Sequence, residues 1–190
     1  MLRPTSKAAL ALVLVPALVS GLAACSTAMP GSALAPVLAL PAALQPVPGE
    51  KPAFTVHARG VQIYACAAAE GAAPGWSFVA PEATLYASAS SSTAMGSHGA
   101  GPFWQAADGS KVVGKLKARA DAPSPTAIPW LLLTATSTGG PGRMAGVTSV
   151  QRIHTAGGVA PAGGCASKDD VGKQARVPYT SDYVFFAAGG

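Results

Sequence analysis

From about residue 54 onward, apolar and polar side chains alternate in short runs with a period of two residues. In GVQIYAC, for example, Val61, Ile63 and Ala65 fall on one side of the chain and Gln62 and Tyr64 on the other, as side chains do along a β-strand. The other runs of this kind are WSFV, ATLY, KVVGKLKARA, WLLLTATS, GVTSVQRIHT and DYVFFAA. Clusters rich in Gly, Pro, Ser and Asp separate them. The pattern predicts an all-β, single-domain antiparallel β-sandwich or partly closed β-barrel with long loops over residues 54–190.

The first 24 residues have the order of a secretory signal. Arg3 and Lys7 precede the apolar run ALALVLVPALVSGL, and small residues follow it. The sequence LAAC at 22–25 resembles a bacterial lipobox, in which the cysteine carries lipid and begins the mature chain. Several acyl chains on one residue anchor a domain stably to a membrane. We therefore expect residues 1–24 to be a lipoprotein signal peptide and the protein to be secreted and lipid-anchored through Cys25 to the bacterial cell envelope, on its periplasmic or cell-surface side. The alternative is an ordinary signal peptide cleaved near an incidental Cys25.

Residues 25–53 carry prolines at a density that favours extended polyproline II backbone. We interpret this lipidated stretch as a semi-rigid tether between the membrane and the β-rich domain. Its apolar part, LALPAAL at residues 38–44, could instead lie on the domain.

Charge adds little to this picture. The chain has 13 basic and 8 acidic residues, and removal of the signal peptide would leave 11 basic against 8 acidic, a net charge of +3. So small an excess gives no support for nucleic-acid binding, and we expect no nucleic-acid partner.

If Cys25 carries lipid, Cys66 and Cys165 are the two cysteines left. Outside the cytoplasm thiols oxidise, so we expect these two to form a disulfide. A metal-binding thiolate pair or a catalytic cysteine are the alternatives, but no CxxC motif or nearby histidine favours them.

The stretch HGAGPFW at 98–104 holds the strongest candidate chemistry. A hydrolase would use His98 as general base, Asp108 or Glu82 as the carboxylate that orients it, and Ser97 or Ser110 as nucleophile. The chain lacks a G-x-S-x-G nucleophile elbow. The geometry of a tight turn accounts for the two glycines and the proline of this stretch. His98 and Trp104 therefore remain as candidate residues at the edge of a binding site.

Two further features concern binding. In KVVGKLKARA the alternation places Lys115, Lys117 and Arg119 on one face of a strand, where they could bind an anionic ligand or an envelope glycan. Alternatively they are charges that protect a strand edge from pairing. The spacing of the histidines forms no metal signature, and we predict neither a metal site nor a cofactor, although a fold that brought His98 beside His57 or His154 would leave metal binding open.

Several ordered motifs resemble one family. The motifs are GVQIYAC, APEATLY, AGPFW, DGSKVVGK, AIPWLLLTATS, VQRIHT-x-GG-x-AP-x-x-GC and VPYTSDYVFF. They are similar to motifs of DUF3455, a family of secreted bacterial and fungal proteins of unknown function. The resemblance runs from about Phe54 to Phe186, and both Cys66 and Cys165 lie in matching motifs. Some fungal members carry a malate dehydrogenase label, but this chain has no glycine-rich dinucleotide fingerprint and no α/β alternation. The resemblance implies a family fold and a secreted location, and no activity.

Together these observations favour a non-enzymatic, lipid-anchored envelope β-domain that binds an envelope component, a small ligand or a protein partner. The alternative is a secreted hydrolase that uses His98 with Asp108 or Glu82.

Overall fold

A computed structural model of the protein describes residues 40–189, which contain eight β-strands, two short 3-10 helices and no α-helix. The strands are β1 Glu50–Ala67, β2 Gly75–Tyr86, β3 Ala94–Gly99, β4 Phe103–Ala106, β5 Lys111–Ala120, β6 Trp130–Ser137, β7 Val147–Gly157 and β8 Gln174–Ala188. The 3-10 helices are η1 Ala42–Leu44 and η2 Lys168–Asp170. None of the helices in this range has the length and apolar character needed to cross a membrane.

Every strand pairs antiparallel with its neighbours in sequence, and β8 pairs back onto β1, so the sheet closes into one ring. The long β1 makes this closure, because it pairs with β2 along one edge and with β8 along the other. The all-β antiparallel prediction is confirmed. Of its two forms, the partly closed barrel describes the structure better, since the strands make one continuous ring-like sheet rather than two facing ones.

At one end of the ring the sheet is continuous, and at the other end a gap, here called the slot, separates β2 from β5. β3 and β4 are short, so β2 pairs with β3 only from Ala83 to Tyr86, and β4 reaches β5 only as far as Val113. Within the described chain, residues 75–82 of β2 and 115–120 of β5 therefore have a strand on one side only. Phe78 and Leu116 border one cleft from these two free edges, so the slot opens into the barrel.

Alternate side chains fill the interior, as the period-two pattern requires. Trp104, Tyr183 and Phe185 are the largest fully buried residues there, and Val112 and Leu85 pack with them. Phe54 stacks on Phe185 with ring centroids 4.6 Å apart.

A second apolar cluster covers the opposite face of the sheet. Trp130 and Leu132 of β6 point outward, away from the interior residues Leu131 and Leu133. Leu44 of η1 packs on them and is completely buried. Its carbonyl oxygen accepts a 2.6 Å hydrogen bond from the buried Gln151 side chain, so the segment before β1 is bound to the barrel by both apolar and polar contacts.

The described part of the segment before β1 packs on the barrel. β1 begins at Glu50, before the predicted start of the domain at residue 54, and Leu40 and Leu44 cover the apolar outer surface. The predicted signal peptide, Cys25 and the predicted tether up to residue 39 lie outside the described residues.

Cys66 at the end of β1 and Cys165 in the loop before η2 form the predicted disulfide, with Cα atoms 5.5 Å apart. Trp76 Nε1 donates a 2.9 Å hydrogen bond to the Gly163 carbonyl, so it too fastens this loop. Trp130 is buried, whereas Trp76 is only half-buried.

Candidate functional site

His98 and Trp104 are cross-strand partners in the β3–β4 hairpin. Gly101, at a φ of +119°, allows the chain to reverse between the two strands. The hairpin places the imidazole and the indole face to face, with ring centroids 4.7 Å apart and planes inclined by 15°. The stretch HGAGPFW therefore forms a turn between two strands. One strand directs the His98 imidazole into the barrel, and the other directs the Trp104 indole into it.

The His98 imidazole is buried and neutral. Its side chain is 4% exposed, and Nδ1 lies 2.7 Å from the Phe103 carbonyl oxygen. A carbonyl only accepts, so Nδ1 carries the proton and Nε2 has a free lone pair. Burial lowers the pKa of His98 to about 3, although the bond to Phe103 opposes this shift and the charge of Arg152 adds to it. The described residues offer Nε2 no hydrogen-bond partner.

Both rings line one cavity of about 320 Å³ inside the barrel. Its other walls are mostly apolar and come from both sides of the slot; they include Phe78, Pro81, Pro102, Leu131, Leu133 and Tyr183. A volume of this size is at the small end of the range typical of ligand pockets. The sequence singled out His98 and Trp104, and the structure places them in the same cavity.

Trp104 is held from several directions. Tyr183 and Phe185 meet its ring edge-to-face at 5.2 and 6.0 Å, and Gly114 of β5 leaves room for its six-membered ring, since a Cβ there would lie 2.8 Å from it. Trp104 Nε1 is buried and finds no acceptor among residues 40–189. A buried indole N–H normally has a partner, but neither Trp104 Nε1 nor Trp130 Nε1 has one among these residues.

Arg152 of β7 is the one charged residue in the wall of this cavity. It lies between its cross-strand partners Leu131 and Tyr183, which also line the cavity. Its Nε and Nη2 donate to the Pro129 carbonyl oxygen at 3.1 and 2.8 Å. Arg152 could not be singled out from the sequence, because VQRIHT has the pattern of an ordinary strand and only its pairing partners place Arg152 at the cavity.

A second, wider cleft of about 810 Å³ continues from the first and shares Phe78, Leu131 and Arg152 with it. Phe78 and Leu116, at 55% and 57% exposed, form the apolar lips of the slot. The two spaces join at Arg152.

The proposed hydrolase residues are not assembled around His98. The Asp108 carboxylate accepts hydrogen bonds from the Ser110 hydroxyl and the Arg143 amide, which lower its pKa. Glu82 accepts a 2.7 Å bond from Arg176. The position that an orienting carboxylate would take at His98 Nδ1 is occupied by a backbone carbonyl instead. Ser97 is exposed on the other face of β3, and the buried Ser110 lies in the Asp108 turn.

The sequence profile of a family described as "Protein of unknown function (DUF3455)" matches residues 46–187. The chain belongs to the DUF3455 family. The match includes all eight strands apart from the last residue of β8, so the slotted barrel is the DUF3455 domain itself. Searches of curated proteins and of solved structures each returned no match.

The predicted basic ridge of the DUF3455 domain is interrupted. Lys115, Lys117 and Arg119 are all exposed, but the β5–β6 register shifts between Leu116 and Ala118. Beyond this bulge the alternation is reversed. Ala118 packs on the outer cluster, and Arg119 borders the wide cleft. Arg119 therefore does not share a face with Lys115, and the free edge of β5 fits the alternative of charges that block strand pairing.

One cluster on the outer face of the DUF3455 domain was not foreseen. His57 Nδ1 and His154 Nδ1 lie 2.8 and 2.9 Å from the two carboxylate oxygens of Asp182. His154 has a φ of 50°, at the point where the β7–β8 register shifts. The cluster joins β1, β7 and β8. In the described part of the chain no group of three or more His, Cys, Asp or Glu side chains is placed to hold a metal ion.

Proposed function

We propose that this DUF3455 protein is a lipid-anchored envelope domain that binds a small, largely apolar ligand inside its slotted barrel. The observation that carries the proposal is the stacked pair of His98 and Trp104 in the wall of a mostly apolar cavity, where His98 Nε2 has no hydrogen-bond partner among residues 40–189. A mostly apolar wall with a few polar groups is typical of ligand pockets.

The same geometry favours binding over hydrolysis. A general base works best when its pKa lies near the working pH, whereas the pKa of His98 is lowered to about 3. At neutral pH the imidazole accepts a hydrogen bond well but holds an abstracted proton poorly. The hydrolase alternative also needs an adjacent carboxylate, and neither Asp108 nor Glu82 is hydrogen-bonded to His98.

A thermal-shift screen of the purified protein against small apolar and amphipathic molecules tests ligand binding. A ligand specific to the native state raises the unfolding midpoint. We expect the shift to disappear in the double variant His98→Ala/Trp104→Ala and to persist in Trp76→Phe, since Trp76 lies outside the cavity. A saturable shift that survives the double variant would refute this site.

The anchoring part of the proposal depends on the signal-like N-terminus and LAAC at residues 22–25, and the disulfide between Cys66 and Cys165 supports an oxidising compartment. Mass spectrometry of the protein purified from cell membranes should find acyl chains on an N-terminal Cys25. The Cys25→Ala variant should leave the membrane fraction. Unmodified Cys25 in membrane-derived protein would contradict the anchor and leave the binding proposal intact.

A further inference from the structure

Arg152 marks the polar end of the cavity. Its two hydrogen bonds to Pro129 O fix the plane of the guanidinium but do not neutralise it, since a carbonyl is uncharged. Among residues 40–189 no carboxylate oxygen lies within 4.0 Å of its side-chain nitrogens; the acidic groups that form ion pairs do so with other partners. A half-buried cation at the wall of an apolar cavity is unfavourable unless it is paired.

The field of this charge extends into the interior. It adds to the burial that lowers the pKa of His98, and it opposes the burial that raises the pKa of the Tyr64 and Tyr179 hydroxyls. Three groups on different strands thus experience the guanidinium, and an anion placed beside it in the cavity would be stabilised by the same charge.

The remaining walls select an apolar body. Leu131, Leu133 and Phe78 face the stacked His98–Trp104 pair. At roughly 30 Å³ for each water in the liquid, the 320 Å³ cavity is about the size of ten waters, and so of about ten non-hydrogen atoms. The exposed apolar residues Phe78 and Leu116 border the slot, so the chain of a longer ligand could extend between them.

We propose that the ligand is an amphipathic monocarboxylate, with its carboxylate on Arg152 and its apolar chain between Leu133 and the His98–Trp104 pair. This inference rests on the proposed function and names its ligand class. The planar guanidinium fork matches a carboxylate in geometry as well as in charge, and the cavity wall has a single cation, which fits a single negative charge.

Calorimetric titration of the full-length protein at pH 7.5 with octanoate, 1-octanol and octylamine tests the class, because the three probes share a chain length and differ in head-group charge. We expect octanoate to bind at least tenfold more tightly than octanol, and octylamine to show no measurable binding. Arg152→Gln should equalise octanoate and octanol, since Gln can still donate to Pro129 O but carries no charge. Arg152→Lys should retain part of the preference.

Because octanol carries no charge, its affinity tests whether the cavity is intact in each variant. We expect this affinity to change less than twofold. The exposed cations are the matched control: Lys115→Gln/Lys117→Gln should leave octanoate binding unchanged. Equal binding of octanol and octanoate to the wild type, lost in His98→Ala/Trp104→Ala, would overturn the monocarboxylate and keep the proposed function. Binding of none of the three probes would overturn both. Octanoate binding that is abolished by the lysine changes and retained in Arg152→Gln would place the anion on the outer surface and refute the assignment.

Discussion

Acidification should destabilise this protein through His98. Burial lowers the pKa of the folded imidazole to about 3 from its ordinary value of 6.5, so between these values the unfolded chain binds a proton that the folded chain does not. Stability is therefore complete above pH 6.5 and falls as the pH is lowered towards 3. Between pH 7.5 and 4.5 the loss from this one group is about 2 to 3 kcal/mol at about 1.4 kcal/mol per pH unit.

Urea unfolding at several pH values between 7.5 and 4.5, with the disulfide intact, measures this loss. For a urea dependence of about 1 to 3 kcal/mol per molar, the midpoint should fall by about 1 to 3 M. His98→Asn is the matched variant, since its amide can still donate to Phe103 O but does not titrate. The lowered pKa values of Asp108 and Asp170 act mainly below this range, around and under their ordinary value of 3.8. An equal midpoint shift in wild type and His98→Asn would refute the reasoning.

Three further variants test the packing. Cys66→Ser/Cys165→Ser should lose about 4 to 5 kcal/mol by the chain-entropy model, because the bridge spans 99 residues; two titratable thiols in the denatured, unreduced wild type would contradict the bridge. Gly114→Ala should cost about 1 to 3 kcal/mol and perturb Trp104 fluorescence, whereas Gly75→Ala, with open space at its Cβ, should change neither. Leu44→Ala should cost about 2 to 5 kcal/mol against almost nothing for Val47→Ala, which is 44% exposed; equal midpoints for these two would show that residues 40–44 do not stabilise the barrel.

Period-two alternation was enough to predict most of the strands, because each strand has one face in the barrel interior and one outside. It failed where the backbone departs from regular pairing. The bulge at Lys117 reverses the alternation of β5 and removes Arg119 from the predicted ridge. A bulge depends on the partner strand, and the local sequence KLKAR holds no glycine or proline that would mark it.

The same limit explains the segment before β1. Its prolines suggested an extended tether, and the proline signal is local. Its burial depends on a second apolar surface, formed by Trp130, Leu132 and Ile153 on β6 and β7. Side chains on both faces of β6 are buried, and WLLL is apolar throughout. That continuous run agrees with the apolar character of LALPAAL, and both are signals that something covers the outer face.

The residues of the cavity show which part of the candidate site could be predicted from the sequence. His98 and Trp104 stood out because turn chemistry did not explain them, but only the pairing of β3 with β4 shows that they meet across a hairpin. Arg152 is 54 positions from His98 in the chain and reaches the same space only through the register of β6, β7 and β8.

The presence of Arg152 in the cavity wall also gives the neutral state of His98 a role. Two cations facing one small cavity would repel each other, so an imidazole kept neutral by burial leaves the positive charge to Arg152 and offers a lone pair beside it. A single cation would fix the orientation of a ligand whose apolar body the other walls could hold.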